Sequence, residues 1–184
     1  VSQLSEIELQ SALAQLTNAE LIFRRGQPPN AIYTFKHALV QDAAYARLLK
    51  GRRQQLHSRI AQVLRDQFAD RVASQPELLA HHYTEAGETD RAITYWLAAG
   101  QRATERSANA EALAHLQRGL DLIEVLPPSN ERARRELALQ IALGTPLMAT
   151  QGYASADLVK ANARARELCD QVGDAAQLLP VLYG

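Results

Sequence analysis

LLAHHYTEAGETDRAITYWLAAGQRATERSANAEALAHLQRGLDLIEVL, residues 78–126, decides the fold, because small and large apolar residues recur in it in the order that paired helices need. Helices packed about 8 to 10 Å apart require Gly or Ala where their backbones approach and a bulky side chain one turn away to fill the groove between ridges. Gly100 and Gly119 read as the approach points, with Trp96 and Leu116 as the fillers. Two hairpin frames fit. In the first, Trp96, Ala99, Gly100 and Ala103 lie on one helix and Ala112, Leu116 and Gly119 on the next. In the second, Ala80 and Tyr83 precede a turn at Gly87, and Ala92, Trp96 and Ala99 follow it. Both frames use the helix predicted over 89–105, which is therefore expected to pack on two sides.

The first frame is similar to the W-x2-L-G-x2-Y signature of tetratricopeptide repeats, with Ala in place of Leu and of Tyr. Gly100, Gly144 and Gly184 then mark a longer, looser spacing than the 34-residue type. The fold class expected is mainly α: a partial winged-helix segment with a short β-hairpin, followed by an α-α superhelix of such repeats. The expected divisions are 1–50 for the winged-helix-like segment, 51–75 for a connecting basic amphipathic helix, and 76–184 for the repeats, truncated at the C-terminus.

The 184 residues carry 20 basic and 20 acidic side chains, so no net charge draws the chain to nucleic acid or an anionic membrane. Alanine and leucine dominate while aromatic residues make up 5%, which favours helices over sheets. Cys169 is the single cysteine, so an intramolecular disulfide and a thiolate metal cluster are both excluded, and a reducing cytoplasm is the expected setting. No apolar run approaches the roughly 20 residues of a membrane span. The start at Val1 and the end in LLPVLYG read as the edges of a piece of a longer protein.

Along the chain, Ile7, Leu9, Ala12, Leu13 and Leu16 recur at helical spacing behind Ser5, a candidate N-cap. LIFRR and AIYTF have strand composition and flank the turn-forming GQPPN, which predicts a hairpin. Helical periodicity resumes at Leu39, Ala43, Ala46 and Leu49. In the next helix Leu56, Ile60, Val63, Leu64 and Phe68 form the apolar stripe, with Arg52, Arg53, Arg59 and Arg65 on the wet side. Ser129 or Asn130 can cap a helix through Leu137, Ile141, Gly144 and Leu147, where Pro146 should kink the helix or lie near its end. A last helix directs Leu158, Ala161, Ala165, Leu168 and Val172 inward, with Gly173 beyond it.

Motifs for chemistry are absent. The chain contains no G-x-x-x-x-G-K-[ST], G-x-G-x-x-G, H-E-x-x-H or G-x-S-x-G sequence, so no catalytic residue, no metal site and no cofactor are expected within it. His81 and His82 are neighbours about 100° apart on a helix, a spacing that does not make a metal pair; His81 is expected instead to pair with Glu85 on the surface. The basic run KGRRQQLHSRI could touch phosphates, but IELQSALAQL, the candidate recognition helix, has two Glu and no Lys or Arg. DNA binding by a winged-helix transcriptional regulator is thus the alternative function, and nucleic acid is the disfavoured partner.

Residues 33–64, YTFKHALVQDAAYARLLKGRRQQLHSRIAQVL, carry a more specific resemblance that continues through ELLAHHYTEAG, AITYWLAAGQRA, SANAEALAHLQRGL and RRELALQIALG. The sequence resembles the region that follows the nucleotide-binding module in bacterial adenylate/guanylate cyclase–AAA/STAND-type ATPase regulators, where a winged helix precedes tetratricopeptide-like repeats. The resemblance implies a non-catalytic regulatory and protein-interaction region that couples an effector or partner to a catalytic module elsewhere, with ATP or ADP bound only by the full-length protein. It also places His37, in FKHALVQD, at the histidine of the Met-His-Asp motif that senses nucleotide phosphates, with Ala38 in place of the aspartate. The repeat frame offers Glu77, His81, Thr84, Gln101 and Glu105 as interaction-groove residues. The expected partner is a protein or peptide, or the parent's own ATPase domain; exposed leucines near the C-terminus would allow a homodimer, and no membrane contact is expected.

Overall fold

Ser5 opens the first helix, α1 (Glu6–Asn18), through a capping box: its side chain accepts from the Glu8 amide while the Glu8 carboxylate accepts from the Ser5 amide at 2.9 Å. The computed structural model in which this is seen describes residues 4–28 and 30–173. Strands β1 (Ile22–Arg25) and β2 (Ile32–Phe35) then pair antiparallel with Ile22 opposite Phe35 and Arg25 opposite Ile32. Gly26 takes φ +88° just after β1, a backbone conformation that favours glycine. Helix α2 (Ala38–Ala46) follows.

Helix, hairpin and helix therefore occur in the predicted order, but the predicted apolar stripes do not enter a core. Neither α1 nor α2 buries a residue, Ile7 and Leu39 are 83% and 80% exposed, and Ile22 alone is buried among the described residues before α3.

From Lys50 onward the chain is helical: α3 (Lys50–Gln67), α4 (Ala69–Ser74), α5 (Glu77–Ala86), α6 (Thr89–Glu105), α7 (Asn109–Ile123), α8 (Asn130–Gln151) and α9 (Ala156–Val172). Short turns fold each of the later helices back on its predecessor. Gly87 caps α5 in the left-handed region at φ +76°, and the Glu88 amide donates back to the Tyr83 carbonyl at 2.9 Å. Ser129 accepts from the Arg132 amide to start α8, Ser155 does the same for Leu158 in α9, and Gly173 ends α9. Pro146 lies in the last two turns of α8, and Thr150 returns its hydroxyl to the Pro146 carbonyl at 2.7 Å.

Three apolar clusters hold these helices. The first joins Ala61 and Val72 to Leu79, Ala80 and Tyr83 of α5 and to Ala92, Trp96 and Ala99 of α6. The second runs from Ile93 of α6 through Leu116 and Ile123 of α7 to Leu139, Leu143 and Leu147 of α8 and Leu158 of α9. The third packs Ala133 and Leu137 against Ala165, Leu168 and Cys169. Helix α6 thus contributes to two clusters from two faces, as its shared frames predict.

Both approach glycines are used. A Cβ on Gly100 would lie 2.5 Å from Leu116, and one on Gly119 would lie 2.8 Å from Leu139, so only hydrogen fits at either contact. Helix α3 contributes to the first cluster: it buries His57 and Ala61, half-buries Leu56, Ile60, Val63 and Leu64 of the predicted stripe, and leaves Phe68 48% exposed at its C-cap. Among the described residues no helix is long and apolar enough to cross a membrane. Gly184 and the terminal leucines after residue 173 lie outside the described residues.

Candidate functional site

His37 occupies the N-cap position of α2 with extended backbone, φ −134° and ψ 131°, and its side chain makes no capping hydrogen bond. Its carbonyl accepts from the Val40 and Gln41 amides, while the ring is left exposed at the start of the helix.

The five groove residues do not gather in one place. His81 and Thr84 line a depression of about 350 Å³ together with Trp96, Arg118, Asp121 and Leu122. Gln101 and Glu105 line another, of about 300 Å³, with Val72 and Tyr95; Glu77 borders neither. In the first depression Thr84 is already committed. Its hydroxyl donates to the Ala80 carbonyl at 2.8 Å and accepts from the Trp96 indole at 3.0 Å, which fixes a ring covered on one side by the Arg118 guanidinium at 4.9 Å.

A different cluster forms where α2, α3 and α5 meet. His57 of α3 comes against the consecutive His81 and His82 of α5, and one ring nitrogen from each lies within 4.8 Å of the others. The ring centroids are 5.7 Å apart for His57 and His81, 5.0 Å for His57 and His82, and 5.3 Å for His81 and His82. Although the Cβ bonds of His81 and His82 diverge on the helix, their rings come together with a third ring supplied by α3, contrary to what their spacing alone predicts.

The hydrogen bonds give this cluster a direction. The Tyr45 hydroxyl donates to Glu85 Oε2 at 2.9 Å, and a carboxylate can only accept. The Tyr45 oxygen, 3.0 Å from His57 Nε2, is left to accept, so His57 carries its proton on Nε2. His57 Nδ1 then has a free lone pair, which faces His82 Nδ1 at 2.9 Å and takes the proton that His82 donates. Glu85, expected as a surface partner of His81, is thus the end of a chain through Tyr45 to His57. Arg53 lies over the Tyr45 ring at 5.0 Å.

Burial disfavours the charged form of both rings. Burial pushes the His82 pKa down to about 4, helped by repulsion from His57 and His81 and opposed by Glu85. Burial also lowers His57, with Glu85 acting in the other direction. Tyr45 is raised by desolvation and by its bond to the Glu85 carboxylate. Imidazole nitrogens gathered at one point are metal-ligand chemistry, with the His57 Nδ1 lone pair already turned inward, and the Tyr45–Glu85 pair is the outer support that such a ligand needs. Sequence reading missed Tyr45, His57 and His82. The available signal was that His57 and Ala61 stand four residues apart on one face of α3, opposite the His81–His82 pair.

The chain is similar to an uncharacterized protein, R02095, of Rhizobium meliloti (strain 1021), with 28% identity over 178 residues. That match covers 96% of this chain and 17% of the relative, so the chain spans about one sixth of the length of the protein it resembles. No family model matches the sequence, and no solved structure matches it.

Proposed function

We propose that these residues are a non-catalytic regulatory and interaction region, a tetratricopeptide-like helical array with a winged-helix-like segment ahead of it, within a longer signalling ATPase or nucleotide cyclase. The observation that carries the reading is the succession of helix contacts closed over Gly100–Leu116 and Gly119–Leu139, because stacked helical pairs display rigid side chains along a continuous surface. The match across only 17% of a relative supports a role as one part of a larger chain.

The surface such an array offers is a groove of about 510 Å³ along α7, α8 and α9, where Leu113, Leu143 and Leu147 form an apolar floor beside Gln140, Lys160 and Arg164. Amides and paired charges above an aliphatic floor, with Lys160 near Asp157 and Arg164 held by Glu136 and Glu167, suit the backbone and apolar side chains of an extended peptide. The partner in this reading is a protein segment, from another molecule or from the parent's own ATPase domain. Selection of peptides against the purified chain tests it. Gln140→Ala with Lys160→Ala should weaken the selected peptides at least tenfold, whereas Gln101→Ala with Glu105→Ala tests the other depression. Peptides indifferent to both pairs would refute the groove, and ATP hydrolysis by the purified chain would refute the non-catalytic role.

A further inference from the structure

We propose that His57, His81 and His82 form a binding site for a divalent transition-metal ion of the zinc class, with three imidazole ligands and one coordination position left to solvent or an exchangeable ligand. The inference stands on the cluster's geometry and is independent of the peptide-binding reading.

Three observations support it. The ligand atoms converge from two helices: a tetrahedral ion with zinc–nitrogen bonds of about 2.0 to 2.1 Å needs nitrogens about 3.3 Å apart, and here the three lie within 4.8 Å of one another, with His57 Nδ1 and His82 Nδ1 at 2.9 Å. Closure requires the widest pair to move in by about 1.5 Å, within the reach of imidazole rotamers. The second observation is that His57 is pre-oriented. Its Nε2–H is held by the Tyr45 oxygen, whose own proton is held by Glu85, so Nδ1 is the nitrogen turned inward. Such a chain of a carboxylate acting on a ligating histidine's far nitrogen fixes tautomer and ring angle. The third is exposure: His57 is 8% exposed while His81 is open to solvent, so an ion has an entrance and a buried anchor.

Binding needs no proton to leave the His57–His82 pair. The proton that His82 Nδ1 donates to His57 moves to His82 Nε2, and the freed Nδ1 lone pair joins that of His57 and one nitrogen of His81 on the ion. Imidazole donors suit zinc, copper and nickel rather than magnesium or calcium, which prefer oxygen. His81 also lines the depression with Trp96 and Arg118, so the cluster and that depression share a side chain.

The test is a titration of the chelator-stripped full chain with Zn²⁺ in competition with a chromophoric chelator, read together with thermal unfolding. The expected result is one Zn²⁺ per chain with micromolar or tighter affinity, and a melting temperature that rises with zinc but not with Mg²⁺. His81→Gln removes an exposed ligand from outside the apolar clusters, so it should leave the metal-free melting temperature unchanged, weaken zinc at least tenfold and abolish the zinc-induced rise. Tyr45→Phe keeps the ring and loses the acceptor for His57 Nε2–H, and should weaken zinc about 10- to 100-fold. No competition at micromolar Zn²⁺ overturns the proposal. So does zinc affinity unchanged in His81→Gln, which would put the ion elsewhere on the chain.

Discussion

Gly100→Ala adds one methyl group to α6 at the point where it meets α7. The new Cβ would stand 2.5 Å from both Cδ2 and Cγ of Leu116, where ordinary contact begins at 3.4 Å, so 0.9 Å must be found. Leu116 is fully buried, and Cγ is its branch carbon, so rotating the end of the side chain does not relieve the overlap. Overpacking of this kind costs about 1 to 3 kcal/mol, while replacing Gly by Ala within a helix returns about 1 kcal/mol. The expected net loss is about 0 to 2 kcal/mol. Gly144→Ala on α8 is the matched control, because nothing lies within 4 Å of its added Cβ; it should gain about 0.5 to 1 kcal/mol. Urea unfolding followed by far-ultraviolet circular dichroism measures both. Leu116→Ala alone should cost about 2 to 5 kcal/mol, and the Gly100→Ala, Leu116→Ala double variant should cost less than the sum by about 1 kcal/mol, since each change makes room for the other. Equal stability of the two glycine variants, or strict additivity in the double variant, would refute the close-approach account.

Three further outcomes are expected. His115 is buried against Trp96 with ring centroids 5.4 Å apart, and its Nδ1 has no partner; His115→Phe keeps the stack, removes the unsatisfied acceptor and should raise the urea midpoint by the equivalent of about 0.5 to 1 kcal/mol. Arg164 grips Glu136 through two bonds of 2.6 and 3.1 Å across α8 and α9, and the Glu136 side chain is only 12% exposed; Arg164→Met should cost about 1 to 2 kcal/mol by leaving that carboxylate alone, and Glu136→Gln in the same chain should recover part of it. In chelator-treated protein, His82 takes up its proton near pH 4 when folded and near its ordinary 6.5 when unfolded. The unfolded chain therefore binds more protons in that window, so stability is complete above about pH 7 and falls as pH drops toward 4, by no more than about 2 kcal/mol after allowance for solvent screening. A His82→Gln chain with the same slope would show that the loss arises elsewhere.

Much of the helical order is written locally in the sequence. Ser5, Ser129, Gly87 and Gly173 act at the ends where their chemistry places them, and α6 spans the predicted 89–105. The glycines at 100 and 119 were legible because close approach leaves a pattern of small residues at helical spacing. Ile7 and Leu39 show the limit of that signal: periodicity marks a face as apolar without saying what covers it, and both stay exposed. The histidine cluster was illegible for a related reason. Its members are 24 and 25 residues apart in sequence, on helices whose pairing depends on the turn between them, and the angle between His81 and His82 says nothing about a ring arriving from α3. His57 also lies beside the predicted stripe residue Leu56 and is buried on α3, where Tyr45 and His82 satisfy its polar ring.

Tyr45 stands one residue before the end of α2, and its hydroxyl is wedged between His57 of α3 and Glu85 of α5. With Ile22 the one buried residue among those described before α3, the N-terminal segment has little interior of its own. The phenol therefore ties α2 to both helices through a single oxygen. Loss of that one hydroxyl would remove both of the side-chain hydrogen bonds that Tyr45 makes from α2 to α3 and α5.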